Sequence, residues 1–332
     1  MSRTILVTAV GSFSAAAVVG NYKKEGFRVI GCDIYPAEWI VASGEVDRFY
    51  QAPPAVDPQR FQAFLERVCR EEQVDYVVPL TDVEVDAMQK WRQQAEAMGV
   101  TLCISGENTI RLCRNKQKLE HFLTPLGLCR TIPGQSLAEV MEEEEDTGYE
   151  LMKYPLILKP FLGRSSQGLM RIADARQMRQ ATEWNRAMAD SYLVQPEISG
   201  TVVTADVVRN PESGQTVSVS RRELLRTPNG AGTSVQVFTD ERLARQCEAI
   251  AGALDIRGCV NFEFVERSEG DWHLLECNPR FSGGVAFSCM AGYDMVGNHL
   301  RCFDGRKLEE RKEIPCQYLV KRYQEYRMEK GI

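Results

Sequence analysis

The chain has 332 residues, 44% of them hydrophobic and 26% charged, with a formal net charge of −6. That length implies two or three lobes rather than one simple core. The acidic balance excludes a broad nucleic-acid surface but leaves room for a local basic cleft.

The eleven cysteines form no Cys-x-x-Cys pair and no zinc-ligand spacing with the three histidines. Most lie in apolar runs and read as small buried thiols of a reducing compartment. No apolar run reaches the roughly 18–20 residues that a membrane span requires. No basic stretch followed by an apolar core opens the chain. A cytoplasmic protein without membrane or nucleic-acid partners is expected.

Thr4 to Val7 form an apolar strand that breaks at Gly11; Ser14 to Lys24 read as a helix, and Arg28 to Cys32 as a strand ending at Asp33. This is the grammar of a βαβ unit in a parallel sheet. A helix over Gln59–Glu71, a strand over Val74–Pro79, a helix over Val83–Met98 and a strand over Thr101–Ile104 continue it. The turn Gly11-Ser12-Phe13-Ser14 lacks the Gly-x-Gly-x-x-Gly spacing of dinucleotide sites. A Rossmann-like lobe whose helix N-terminus faces a cleft is therefore favoured over NAD binding, for which Asp33 would be the ribose ligand. Asp82, in the turn Leu80-Thr81-Asp82-Val83-Glu84 at a strand's carboxyl end, suits either a substrate contact or a helix cap.

Arg111–Leu123 read as a basic helical segment containing Asn115-Lys116, followed by a short connection and strand over Gly127–Pro133. The acidic run Glu142–Asp146 reads as a solvated helix face or loop. Tyr154–Pro160 form an apolar strand carrying Lys159 near its end. A buried ammonium needs a partner, and a phosphate supplies one. The loop Gly163-Arg164-Ser165-Ser166-Gln167-Gly168 and the strand Leu169–Ile172 then form either a plain hairpin or a flap laying amides and hydroxyls over phosphates. The nearby lysine favours the flap. It is no Walker A loop, because Gly-Lys-Ser/Thr is absent. A helix over Asp174–Asp190, a strand over Tyr192–Gln195 leading into Pro196-Glu197-Ile198, and a strand over Val202–Arg209 with Asp206 as its one acid follow.

Gly258–Glu266 alternate with period two, which puts Asn261 and Glu263 on one face. The turn Ser268–Asp271 closes a hairpin into Trp272–Glu276, so Glu276 and Asn278 point the same way and come close to Glu263. Two carboxylates and an amide oxygen are hard ligands of the kind magnesium takes beside a nucleotide. Arg280 shares that face and suits a phosphoryl oxygen. The bland alternative is a surface hairpin with scattered charges. Against it, Glu276 ends an otherwise apolar strand, and Pro279 stops the ladder where the polar groups gather.

In this order the pieces resemble the ATP-grasp superfamily, especially its carbamoyl-phosphate-synthetase-like carboxylate–amine ligases. The most specific match is Glu276-Cys277-Asn278-Pro279-Arg280, which is similar to the family's Glu-x-Asn-Pro-Arg signature. The resemblance implies an α/β chain with α+β character in its C-terminal lobes. A Rossmann-like pre-ATP-grasp domain (1–110) would precede a small lobe with the flap (111–194) and a large lobe with the metal site and tail (195–332). It implies Glu263, Glu276 and Asn278 as magnesium ligands, and Arg280 on the transferred phosphate. Lys116 and Lys159 would bind nucleotide phosphates, Gly163, Ser165, Ser166 and Gly168 would act in the flap, and Gln195, Glu197 and Ile198 would form the adenine hinge. Gln195 stands where the family commonly has a glutamate, and Val202 where many members have a ribose-binding acid. Arg222 and Arg226, in a segment resembling the family's substrate side, are suited to clamp a carboxylate or acyl phosphate, or else to form ordinary ion pairs on an exposed strand.

The implied cofactors are ATP and magnesium, as two ions, with manganese as a substitute. The implied activity joins a small-molecule carboxylate, activated as an acyl phosphate, to an amine, with an amino acid among the substrates and ADP and phosphate released. Phosphorylation of bicarbonate or carbamate and a non-catalytic nucleotide-binding regulator are the alternatives. A homodimer is compatible with the sequence. The tail from Arg306 is expected to be partly helical and to pack on the first lobe or on another subunit.

Overall fold

A computed structural model of the chain describes residues 3–163, 167–228 and 230–328. The first lobe comprises β1 (Thr4–Thr8), α1 (Ala15–Lys24), β2 (Arg28–Asp33), β3 (Arg48–Gln51), α2 (Pro58–Glu72), β4 (Tyr76–Val78), α3 (Asp82–Gln89), α4 (Arg92–Ala97) and β5 (Thr101–Leu102). Its five strands are parallel in the order β3-β2-β1-β4-β5. Every residue of β1 is buried, as expected of a central strand covered on both faces. Phe61, Leu65 and Val68 of α2 cover one face with Val85 and Met88 of α3; Val18, Val19 and Tyr22 of α1 cover the other. The helix expected over Val83–Met98 is two helices, because the chain bends at Lys90–Trp91 and the Trp91 indole is wholly buried in the α2–α3 core.

Next come α5 (Glu107–Arg114), α6 (Lys116–Leu123) and β6 (Arg130–Thr131). The expected single helix over Arg111–Leu123 breaks at Asn115, which is extended (φ −113°, ψ 110°). Its side-chain oxygen accepts the Lys118 N–H at 2.9 Å, capping α6. The small lobe is β7 (Gln135–Ser136), α7 (Leu137–Thr147), β8 (Leu156–Pro160), β9 (Met170–Ile172), α8 (Ala175–Asn185) and β10 (Tyr192–Pro196). Its sheet runs β7-β10-β8-β9 and is antiparallel. The acidic run lies in α7. The helix expected to reach Asp190 stops at Asn185, and a 3-10 segment over Arg186–Ser191 completes the turn into β10.

The large lobe comprises β11 (Thr201–Arg209), β12 (Thr216–Arg226), β13 (Gly232–Phe238), α9 (Glu241–Ala253), β14 (Gly258–Glu266), β15 (Trp272–Asn278), α10 (Val285–Met290), α11 (Met295–Arg301) and β16 (Gln317–Val320). Seven strands run β16-β13-β12-β11-β14-β15-β6. The tail from Arg306 holds no helix among the described residues. Its one regular element there is β16, which pairs antiparallel with β13 and satisfies backbone groups that an open sheet edge would leave bare.

Core packing decides what positions the site. Val18 and Tyr22 of α1 share one continuous core with Val208, Val219, Met295 and Leu300, which joins the first lobe to the large lobe. Leu112, Cys113, Leu119 and Leu123 of α5 and α6 pack with Val203, Phe262 and Leu274, so this stretch sits on the large-lobe sheet. The small lobe has its own core of Leu137, Val140, Leu158, Met178 and Val194. Among the described residues no helix is long and apolar enough to cross a membrane.

Candidate active site

A cavity of about 380 Å³ lies where the first lobe meets the large lobe. Two turns at the carboxyl ends of parallel strands wall one side: Ser12-Phe13-Ser14 after β1, and Leu80-Thr81-Asp82 after β4. Residues of β12, β14 and β15 and the Phe281–Gly284 turn wall the other. Asp33 does not face a ligand as a ribose acid would. Its carboxylate accepts the Gly11 N–H at 2.8 Å and fixes the β1 turn.

The β14–β15 ladder pairs Asn261 with Asn278 and Glu263 with Glu276, so the predicted metal-ligating set converges on this cavity. Glu276 Oε2 lies 3.1 Å from the Lys116 ammonium, and its Oε1 accepts the Asn278 amide at 3.0 Å. Burial alone would raise the Glu276 carboxyl, but Lys116, Asn278 and Lys159 outweigh it and hold it well below the usual range. Glu263 is pushed up to about 7 by burial and by the Glu276 charge, against the pull of Arg226, whose guanidinium sits 3.1 Å away. Two crowded carboxylates that cannot ionise freely together, with an amide beside one of them, suit a divalent cation. Among the described residues no set of three or more His, Cys, Asp or Glu side chains gathers in metal-binding fashion.

Asp82 joins the first lobe to this chemistry. Its Oδ2 accepts from Arg280 at 2.9 and 3.2 Å, and its Oδ1 lies 3.4 Å from Arg114. It is the first residue of α3 rather than the capping residue, and it aims Arg280 into the cavity. Arg280 also approaches Asn278 Oδ1 at 3.4 Å.

Lys116 and Lys159, read from the sequence as phosphate ligands, come together from different elements. Lys116 opens α6 and its backbone N–H bonds the Phe161 carbonyl at 3.3 Å, just before Gly163. Lys159 of β8 is 8% exposed; burial pulls its ammonium down to about 8, opposed by Glu276 and Glu263 and reinforced by Lys116. Gly168 has φ +72°, and a Cβ there would stand 3.0 Å from Pro160 Cγ, so the loop needs glycine at that point. Ser165 and Ser166 lie outside the described residues. Gln195, Glu197 and Ile198 stand together at the end of β10, away from the cavity lining. The Gln195 amide is buried and donates to the Ile132 carbonyl at 2.6 Å; Glu197 pairs with Arg171 at 2.7 Å.

Of the two arginines read as a substrate clamp, only Arg226 lines the cavity. Arg222 points to the other face of β12, where it forms a two-pronged pair with Glu266 at 2.6 and 3.0 Å and lies over the Phe238 ring. The cavity-facing residues are its neighbours Arg221 and Glu223, which sequence reasoning passed over. Period-two alternation along β12 carried that signal, since Arg222 and its neighbours must face opposite ways. Arg221 is 2% exposed and bonds Asp206 at 2.6 Å, Glu223 at 3.1 Å and Ser282 at 3.0 Å.

The family comparisons agree with this geometry. Residues 188–326 match a family model described as ATP-grasp in the biosynthetic pathway with Ter operon, and residues 5–103 match the PylC-like, N-terminal domain. The carbamoyl phosphate synthase large chain of Xylella fastidiosa (strain Temecula1 / ATCC 700964) is 25% identical over 323 residues, covering 90% of this chain and 28% of that protein. This chain therefore spans little more than a quarter of that relative's length. The biotin carboxylase domain of the Hydrogenobacter thermophilus 2-oxoglutarate carboxylase superposes with a TM-score of 0.78 at 17% identity, over 96% of this chain and 73% of that one. An L-amino acid ligase from Bacillus licheniformis does so with a TM-score of 0.68 at 16% identity, over 91% and 74%. Along the chain, a match to a PylC-like N-terminal domain thus precedes a match to an ATP-grasp family model, and the whole has the fold of these carboxylase and ligase structures.

Proposed function

We propose that the chain is an ATP-dependent carboxylate–amine ligase that forms an amide through an acyl phosphate and releases ADP and phosphate. The observation that carries this reading is the face-to-face pair Glu263–Glu276, ringed by Lys116, Lys159 and Arg280 and opening on a cavity shared with the first lobe. The likeness to an L-amino acid ligase supports an amino acid as one substrate, and the Hydrogenobacter domain, solved with MgADP and bicarbonate, supports a magnesium nucleotide.

In this reading Glu263, Glu276 and Asn278 hold two magnesium ions, for which manganese can substitute. Lys116, Lys159 and the Gly163–Gly168 flap hold phosphate oxygens, while Gln195, Glu197 and Ile198 border the adenine. Magnesium-ATP supplies the phosphoryl group that activates the carboxylate, which is chemistry of positioning and charge neutralisation. Arg280, fixed by Asp82, offsets negative charge that builds on the transferred group. The small lobe, with its separate core, is the part that closes to exclude water. Segments 1–110, 111–194 and 195–332 serve as base, cover and metal-bearing lobe, with α5 and α6 packed on the last. The unpaired state of all eleven cysteines supports a reducing, cytoplasmic setting.

The test is ADP release from magnesium-ATP across a panel of amino acids and small carboxylates, with Glu276→Ala alongside. Substrate-stimulated ADP and phosphate, lost in the variant, support the ligase. No turnover together with no magnesium-ATP binding by calorimetry overturns it. The carbamoyl phosphate synthase likeness favours a second reading, bicarbonate or carbamate phosphorylation, which predicts ADP release stimulated by bicarbonate alone.

A further inference from the structure

The β12 side of the cavity holds a buried cluster of charged groups, one of whose acceptor oxygens is left without a donor. Arg221 carries one positive charge and is met by two carboxylates, Asp206 (0% exposed) and Glu223 (8% exposed). Asp206 Oδ2 is consumed twice, by Arg221 and by the Ser288 hydroxyl, both at 2.6 Å. Glu223 spends only Oε1, on the Arg221 Nε. Its Oε2 is buried, accepts no hydrogen bond among the described residues, and belongs to a side chain lining the cavity. Lys321 is close enough to interact electrostatically with Arg221 and Glu223, but its ammonium is held by the Gly283 carbonyl at 2.9 Å and over the Phe13 and Phe287 rings.

A buried carboxylate oxygen with no donor is costly, and the cost disappears when a cationic donor binds. The surroundings preserve the opening. A Cβ at Gly232 would stand 1.7 Å from Glu223 Oε2, so glycine there leaves the carboxylate uncovered. Asn261, 2% exposed on the adjoining wall, also presents an Oδ1 without a partner. Together these features describe a subsite rich in unpaired acceptors. It lies in the same cavity as Glu263 and Glu276.

We propose that Glu223 Oε2, positioned by Arg221, receives the ammonium group of the amine substrate, a primary aliphatic amine that binds protonated and passes one proton to Glu223 Oε2 before its nitrogen attacks the acyl carbon and phosphate leaves. This deepens the ligase reading and rests on it. Arg221 here is a positioning residue, and Glu223 is the contact.

The test uses the full chain with magnesium-ADP and titrates n-butylamine, putrescine, ethanolamine and L-lysine by calorimetry against n-butanol and butyrate as matched controls. At least one amine is expected to bind wild type while the alcohol and the carboxylate do not, and Glu223→Gln, which keeps an acceptor for Arg221, is expected to weaken that amine tenfold or more. In turnover, the variant's KM for the amine rises at least tenfold while its KM for magnesium-ATP moves less than twofold. Gly232→Ala, which crowds the same oxygen, gives the same split and serves if Glu223→Gln fails to fold. Amine binding that is unchanged in both variants, equal losses for amine and ATP, or no amine bound by wild type overturns the proposal. ATP turnover without this split sinks the amine subsite alone. Absence of turnover together with absence of magnesium-ATP binding sinks the ligase reading, whereas amine binding that fails in wild type while magnesium-ATP still binds sinks the subsite alone.

Discussion

Glu263 and Glu276 stand opposite each other across the β14–β15 ladder, yet each is held by a different cation: Arg226 at 3.1 Å for the first, Lys116 at 3.1 Å for the second. Those cations arrive from β12 and α6, so the pair is assembled from three separate stretches of chain. Removing Glu276 takes away the partner of Lys116 and the fixed end of Asn278. Glu276→Ala is therefore expected to cut substrate-stimulated ADP release by at least about 100-fold, the scale of losing a group that orders a metal. EDTA should abolish the wild-type signal, and magnesium should restore it. Retention of more than a tenth of wild-type turnover in Glu276→Ala would contradict the assignment.

The Asp82–Arg280 pair makes a different prediction, because it spans two lobes. Asp82 is nearly inaccessible and faces both Arg280 and Arg114. Asp82→Asn leaves Arg280 short of its counter-charge in a largely buried place, while Arg114 keeps its pair with Asp86, and costs about 3 kcal/mol. Urea unfolding should show that loss, and turnover should fall as well because Arg280 loses its fixed direction. A variant with wild-type stability and lowered turnover would mean that Asp82 acts on substrate rather than through Arg280.

The convergence of Glu263, Glu276, Asn278 and Arg280 was legible in the sequence because its information is local. Glu276, Asn278 and Arg280 share a face by period two, and a short turn brings Glu263 beside them. The βαβ order of the first lobe was legible for a similar reason, since apolar runs and helix periods recur within some 30 residues. What was not legible depends on long-range packing. Nothing near Arg306 announces that Gln317–Val320 will pair with β13, because that pairing is decided by a bare edge some 80 residues earlier. The breaks at Asn115 and Trp91 are single-residue events inside otherwise helical patterns. Arg222 was read toward the substrate because the basic run alone does not show which face of β12 is buried; Glu266 and Phe238, distant in sequence, decide it.

That reassignment is testable. Arg222→Ala removes a partly exposed pair with Glu266 and the stacking on Phe238, for an expected loss of about 1 kcal/mol in urea unfolding. Its KM values for carboxylate and ATP should stay within twofold of wild type. Arg226→Ala, by contrast, releases Glu263 inside the cavity and should lower turnover by about tenfold or more. Equal kinetic defects in the two variants would return Arg222 to the substrate side.

Two buried groups pull stability in opposite directions across acidic pH, and their variants separate the contributions. His299 is held between Phe281 and Phe303, its Nδ1 accepts the Cys259 N–H at 2.8 Å, and burial lowers its pKa to about 3. Unfolded histidine titrates near 6.5, so between about 6.5 and 3 the unfolded chain binds a proton that the native chain refuses. Stability is lost as pH falls through that window, at up to about 1.4 kcal/mol per pH unit. Glu84 does the reverse. Burial raises its carboxyl to about 7 despite the Thr81 hydroxyl donated at 2.8 Å, so its contribution is complete below about 4.5 and lost as pH rises through 7. Urea unfolding at pH 7.5 and pH 5.5 gives each protein a stability difference. His299→Gln should be less stable than wild type at pH 7.5 but lose less, or gain more, on acidification. Glu84→Gln should recover least at pH 5.5, because it no longer carries the carboxyl that gains from protonation. Parallel pH profiles for wild type and both variants would show that neither group titrates with a shifted pKa in the folded chain.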